Sequence, residues 1–82
     1  MKISLRIEFS DGTSKDVVCS APDFVKFEDK FNLSITRLDK EMKFTHLLFL
    51  GWSAMFRQKL TALEFDAWVD TVESAGAVDF PK

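Results

Sequence analysis

The segment FTHLLFLGWSAMF, at residues 44–56, decides the fold because its apolar residues surround the axis of any helix that it forms. Helical residues advance by 100°, so the consecutive apolar residues at 47–50 point in every direction. The polar side is a narrow strip that contains His46 and Ser53. A helix with this pattern must be covered on several sides, and we expect it to span residues 37–59 at the centre of the molecule.

Residues 2–19 predict a β-hairpin ahead of this helix. Apolar and polar residues alternate strictly at 2–9, which is the pattern of a strand with one buried face. Asp11-Gly12 follows, and an Asp-Gly pair between two strand-like segments is a strong hairpin signal. We expect the returning strand at residues 14–19.

The register of this hairpin has two candidates. A two-residue turn at the Asp-Gly pair forms an exposed ion pair between Glu8 and Lys15, but it sets Ile7 opposite Asp16. A three-residue loop sets Ile7 opposite Val17, and it also sets Leu5 opposite Cys19. We favour the three-residue loop, because burial of apolar pairs fixes a register more strongly than one exposed ion pair does.

Another helix is predicted directly after the hairpin. Ser20 can cap its start, and Asp23 lies three residues further on, as in a capping box. We expect this helix at residues 21–31, with Asn32 as its C-terminal stop.

A third helix is predicted near the C-terminus. Thr61 is followed three residues later by Glu64, which is the spacing of a capping box, so we expect a helix at 62–75 and a frayed tail at 77–82. The fold class is therefore α+β: an N-terminal β-hairpin packed against three α-helices in a single small domain. An isolated hairpin is only marginally stable in water, so its apolar face must lie on the helices, and one strand edge is expected to remain open.

Charge and hydropathy exclude two classes of function. The net charge of −2 and the pI near 5.3 argue against a nucleic-acid-binding protein, which usually carries a basic patch. No apolar run approaches the ~20 residues that cross a bilayer, so we expect no membrane insertion. The chain has one cysteine and therefore no internal disulfide, and we expect it to act in a reducing cytoplasm.

The sequence offers no catalytic constellation. His46 is the single histidine, and we interpret it as a solvated surface side chain, because Asp39 and Ser53 are each about two helical turns away. Cys19 is interpreted as a small buried apolar residue. The glycines are scattered, so no phosphate-binding loop is present. We expect no enzyme activity, no cofactor and no metal site.

The informative feature is a surplus of large apolar residues. The hairpin and the flanking helices can cover only part of the central helix, so either every aromatic is core or some remain exposed and bind a partner or a second copy of the chain. Interface cores favour Trp, Phe and Met. The candidate partner-binding residues are Phe49, Trp52, Met55, Phe56 and Trp68.

Three motifs that follow the hairpin resemble a known family. They are VKFEDKF at 25–31, HLLFLGW at 46–52 and FDAWVDTVES at 65–74. Their order is similar to that of the small tail assembly chaperones of long-tailed bacteriophages, in which Phe-Glu-x-x-Phe, His-Leu-x-x-Leu-x-Trp and Phe-Asp-x-Trp helices succeed one another. The resemblance covers most of the chain.

This resemblance implies a non-enzymatic cytoplasmic protein that binds the tape-measure protein, or a tail tube component, during tail assembly. It also implies a short form of a protein that has a longer, frameshifted form. No catalytic residue carries over from the family. The matching positions are structural or candidate contact residues: Phe27, Phe31, His46, Trp52, Phe65 and Trp68.

The sequence is also compatible with a second class of function, that of a regulator. A small regulator or inhibitor could bind a host protein through the acidic face of the third helix, where Asp66 and Asp70 lie. Charge reversal at these two residues would abolish the activity of such a regulator, whereas a chaperone would tolerate it.

Overall fold

The structure is a computed structural model that describes residues 2–37 and 43–79. It contains three strands and three α-helices, in the order β1, β2, α1, α2, α3, β3. Their bounds are β1 Ile3–Phe9, β2 Ser14–Cys19, α1 Ala21–Phe31, α2 Phe44–Arg57, α3 Phe65–Val69 and β3 Val72–Asp79. One turn of 3₁₀ helix, Ile35–Arg37, follows α1. The α+β class predicted from the sequence is confirmed.

The three strands form one antiparallel sheet in the order β2-β1-β3. β1 lies in the middle, because its alternating sequence buries one row of side chains while the backbone pairs on both edges. The pairing of β1 with β3 contains irregularities after Ser4 and after Glu8. β3 therefore pairs with the second edge of β1, and the outer edges of the sheet belong to β2 and β3.

The predicted third helix at 62–75 and the frayed tail at 77–82 are wrong over the described residues. The helix is the short α3, and the chain then forms β3, which pairs Ala75 with Ile7 and Ala77 with Leu5. The helical pattern at Phe65, Trp68 and Val69 ends where pairing with β1 begins. Residues 80–82 lie outside the described part.

The hairpin is confirmed, but neither candidate register is correct. Leu5 lies opposite Val17, and Ile7 lies opposite Lys15. The loop has three residues, as favoured, yet it begins one residue earlier than expected, because Gly12 adopts φ +92° and the amide of Phe9 donates to the carbonyl of Thr13. A shift of two residues leaves every side chain on its predicted face.

The first helix is confirmed at Ala21–Phe31, with Asn32 in the left-handed conformation at its end. The central helix is shorter than the predicted 37–59. Lys43 is extended, with φ −114° and ψ 160°, so the helix begins at Phe44. Residues 38–42, where part of the predicted helix falls, lie outside the described residues.

The core lies between the sheet and the helices. Alternate side chains of β1 and β2 meet α1, α2 and the indole of α3 in one buried cluster. Its fully buried members include Leu5, Phe27, Leu50 and Trp68. Gly51 allows α2 to approach the sheet, because a Cβ at this position would lie 2.7 Å from Cδ1 of Ile7. The other face of the sheet carries exposed polar residues.

Candidate binding surface

The five residues predicted to bind a partner divide into two groups. Phe49, Met55 and Trp68 are buried and belong to the core, so they are not available as contact surface in this structure. Trp52 is partly buried, and Phe56 is 40% exposed. Phe49 packs against Phe31 of α1 and Phe65 of α3, which are themselves partly buried against the core cluster.

The exposed group continues beyond the end of α2. Phe56 packs on Trp52 with ring centroids 5.1 Å apart. Leu60 and Leu63 are 44% and 42% exposed in the segment that follows the helix. These four residues, Trp52, Phe56, Leu60 and Leu63, are called the Trp52 patch below. Sequence reasoning missed the two leucines, because it predicted Leu63 within the third helix and did not predict a loop that folds back against α2.

The end of α2 places Leu60 by a specific backbone arrangement. The amide of Leu60 donates to the carbonyl of Met55 (2.8 Å), and the amide of Lys59 donates to the carbonyl of Phe56 (3.1 Å). These two bonds form a Schellman motif, in which the residue just after the helix cap, the donor of the shorter-range bond, is left-handed. Lys59 occupies that position with φ 62°. The chain therefore turns back so that Leu60 stays beside Phe56.

A hydrogen bond holds the rest of the loop against the helix. The indole N–H of Trp52 donates to the carbonyl of Leu63 at 2.9 Å. Phe65 lies under the same indole, with ring centroids 5.8 Å apart, and also contacts Phe49. Trp52 is thus held by a hydrogen bond to the loop and by ring contacts with Phe49 and Phe65.

A basic rim borders the patch. An open depression of about 630 Å³ lies between α1 and the end of α2, and its lining includes Phe56 and Leu60 together with Lys26, Arg57 and Lys59. The volume falls within the range of about 300–1,000 Å³ that ligand pockets occupy. This surface therefore combines apolar side chains with positive charge.

A buried polar cluster fixes α2 to α1, and the sequence did not reveal it. The carboxylate of Asp23 is fully buried and accepts from Ser53 Oγ (2.7 Å), from Nε and Nη2 of Arg57 (3.2 and 2.9 Å) and from the amide of Ser20 (3.0 Å). The bonds to Asp23 raise the pKa of Arg57 above its ordinary value. Ser53 and Arg57, four residues apart on the polar strip, were the available signal.

His46 was predicted to be a solvated surface residue, and this prediction is wrong. The imidazole is buried, with Phe27 and Phe31 in edge-on contact at centroid distances of 5.2 and 4.8 Å. Its Nδ1 accepts the amide of Lys43 at 3.2 Å, so it caps the start of α2. The polar strip of the central helix faces α1 rather than water, which accounts for the difference.

Cys19 is buried, as predicted. Its Sγ lies 3.4 Å from the carbonyl oxygen of Leu50, in hydrogen-bonding contact. Burial raises the pKa of the Cys19 thiol to about 12, and the negative charge of Asp23 acts in the same direction. A thiol with this pKa is a poor nucleophile at neutral pH.

Within residues 2–37 and 43–79, no group of three or more His, Cys, Asp or Glu side chains is placed to hold a metal ion. No helix in the same part of the chain has the length and apolarity needed to cross a bilayer.

The chain was compared with known protein families, with curated proteins and with solved structures, and none of the three comparisons found a match. The geometry of the described residues defines an apolar, basic-rimmed surface at one end of the central helix.

Proposed function

We propose that this chain is a non-enzymatic binding protein that takes a helical segment of another protein on the Trp52 patch. The observation that carries the proposal is the arrangement of the patch at the surface: Trp52 packs on Phe56, Phe56 and Leu60 line the same depression, and the exposed Leu63 is held to Trp52 through its carbonyl. A Trp-centred apolar cluster with polar surroundings is the usual composition of an interface hot spot. An apolar helix laid across such a patch would remove it from water.

The partner proposed is the tape-measure protein of a long-tailed bacteriophage, bound during tail assembly in the host cytoplasm. The motif order described above supports this choice, since Phe27, Trp52 and Trp68 occupy the positions of the family pattern. A tape-measure protein is a long helical chain, and a small protein with an apolar patch is suited to cover it before the tail tube forms. Self-association of the chain remains a prediction.

Binding through an acidic helix face is the alternative. Asp66 and Asp70 are both exposed, but α3 spans only Phe65–Val69. The acidic surface is therefore built on a helix of only about one and a half turns. A regulator of this kind would depend on these two carboxylates and not on the apolar patch.

Co-expression with a tape-measure protein, followed by affinity purification and calorimetry, tests the proposal. Phe56→Ser and Leu60→Ser should each weaken binding at least about tenfold, the loss expected for a hot-spot residue. Phe44→Ser is the matched control, because Phe44 is 52% exposed on the same helix, about 18 Å away along its axis. If all three variants bound the tape-measure protein with the same affinity, the proposed surface would be refuted.

The alternative is tested in the same assay. Charge reversal by Asp66→Lys and Asp70→Lys should leave binding to the tape-measure protein nearly unchanged. Loss of binding in these variants, with Phe56→Ser unaffected, would favour the acidic face instead.

A further inference from the structure

We propose that the helix bound by the Trp52 patch carries acidic residues beside its apolar stripe, and that Lys26 and Lys59 select it. This inference rests on the proposed function only in taking the Trp52 patch as the contact surface. It adds the chemical class of the partner segment: an acidic amphipathic helix.

The first observation is the charge around the depression. Its lining contains three cationic side chains and no carboxylate among the described residues. The charge of Arg57 is already matched by Asp23, at 2.9 Å. Within residues 2–37 and 43–79, neither Lys26 nor Lys59 forms an ion pair. Both are exposed, so their positive charge faces whatever covers the patch.

The second observation is the backbone of Lys59. Its φ of 62° lies in the left-handed region, which is unfavourable for a residue with a Cβ and in which glycine is preferred. The corresponding position after α1 is Asn32, with φ 52°, and Asn is the residue that tolerates this conformation best after glycine. A lysine at the end of α2 gains from the helix dipole, but this gain offsets only part of the cost of the left-handed backbone. Residual strain of this kind points to a use for the side chain.

These charges also discriminate between occupants. Two copies of the chain that met patch to patch would bring the cationic rim of one copy toward the cationic rim of the other, because a two-fold interface uses the same surface on both copies. Like charges so placed oppose association. A helix flanked by Glu or Asp would instead place carboxylates against the rim, so the patch fits a different chain and not a second copy through the same face.

Three synthetic helical peptides provide the probe. Each carries the same leucine stripe at i, i+3, i+4 and i+7, and the flanking positions are all Glu, all Gln or all Lys. Fluorescence anisotropy against the intact protein should give a Kd for the Glu peptide about tenfold below that of the Lys peptide at about 0.05 M salt. The difference should shrink at about 0.5 M salt, because added salt screens exposed charges.

Lys59→Gly separates recognition from stability. The variant should raise the midpoint of thermal unfolding by a few degrees, since it relieves the left-handed strain. It should nevertheless weaken binding of the Glu peptide several-fold. Asn32→Gly is the matched control, because it changes the equivalent position of α1 and should leave peptide binding unchanged. Lys26→Glu combined with Lys59→Glu should reverse the preference toward the Lys peptide.

The outcomes distinguish this inference from the proposed function. The charge selection would be overturned if the three peptides bound with equal Kd values and Phe56→Ser weakened the binding of all three. The patch would then remain the contact surface. Failure of every peptide to bind would overturn the inference as well. The binding of the tape-measure protein by the same variants decides the proposed function separately.

Discussion

The carboxylate of Asp23 lies fully buried in the core and accepts hydrogen bonds from three residues. Burying a carboxylate is costly unless it is paired and hydrogen-bonded, and here Ser53, Arg57 and the amide of Ser20 meet both conditions. The side chain of Arg57 is 31% exposed, so water reaches one end of the pair. The sequence predicted Asp23 only as a capping residue, because its partner side chains are 30 and 34 positions away.

Asp23→Ala tests this cluster. The variant leaves the hydroxyl of Ser53 buried without its acceptor and removes the cap of α1, so the free energy of unfolding should fall by about 3 kcal/mol. Asp16→Ala is the control, because Asp16 forms an exposed pair with Arg6 and should change stability little. Urea unfolding measures both, and equal effects would contradict the account.

The thiol of Cys19 predicts a dependence of stability on alkaline pH. Burial raises its pKa from 9.0 to about 12, so the unfolded chain loses the proton at a lower pH than the folded chain does. The folded state then binds more protons above pH 9, and the free energy of unfolding should fall by up to about 1.4 kcal/mol per pH unit. Unfolding of the wild type and of Cys19→Ala at increasing pH measures this. The variant should show the shallower decline, and parallel curves would disprove the assignment.

At the scale of elements, strands β1 and β2 and helix α1 were predictable because the sequence signals that specify them are local. Alternation, the Asp-Gly turn and the Ser20 start all lie within the element that they specify. β3 was not predictable in this way. Val72 continues the helical spacing of Trp68 and Val69, and the pairing that converts the segment into a strand involves β1, more than 60 residues earlier.

Ser74→Pro tests whether β3 holds the sheet together. Ser74 lies opposite Glu8, and the backbone of Glu8 faces β3 because that of the next residue, Phe9, bonds to Thr13 on the other side. Proline at this position removes an amide donor from the pairing, so the free energy of unfolding should fall by about 1–3 kcal/mol. Hydrogen exchange should also accelerate at β1 amides. Unchanged stability and unchanged exchange at β1 would be inconsistent with the three-stranded sheet.

Gly51 tests the packing of α2 on β1. Gly51→Ala should lower the free energy of unfolding by about 1 kcal/mol, because the strain against Ile7 exceeds the gain in helix propensity. Ile7→Val removes the Cδ1 atom that the new Cβ would meet, so Gly51→Ala in that background should be neutral or stabilising. A double-mutant cycle by urea unfolding measures the coupling. Gly76→Ala, with open space at Cβ, is the control.

At the scale of the whole molecule, the sequence predicted that the central helix has more apolar surface than the chain can cover. The structure covers most of it, since Phe49 and Met55 are core, and leaves Phe56 exposed beside Trp52. The remaining patch extends into the loop through Leu60 and Leu63. That extension depends on a Schellman turn and an indole hydrogen bond, and neither is visible in a hydropathy pattern.

The two indole N–H resonances test the central claim most directly. Trp52 lies in the patch and donates to Leu63, whereas Trp68 is buried, and its indole N–H has no acceptor among the described residues. In ¹⁵N-labelled protein titrated with a helical segment of the tape-measure protein, the Trp52 indole signal should shift on binding while that of Trp68 stays in place. Formation of the complex without movement of the Trp52 signal would contradict the account.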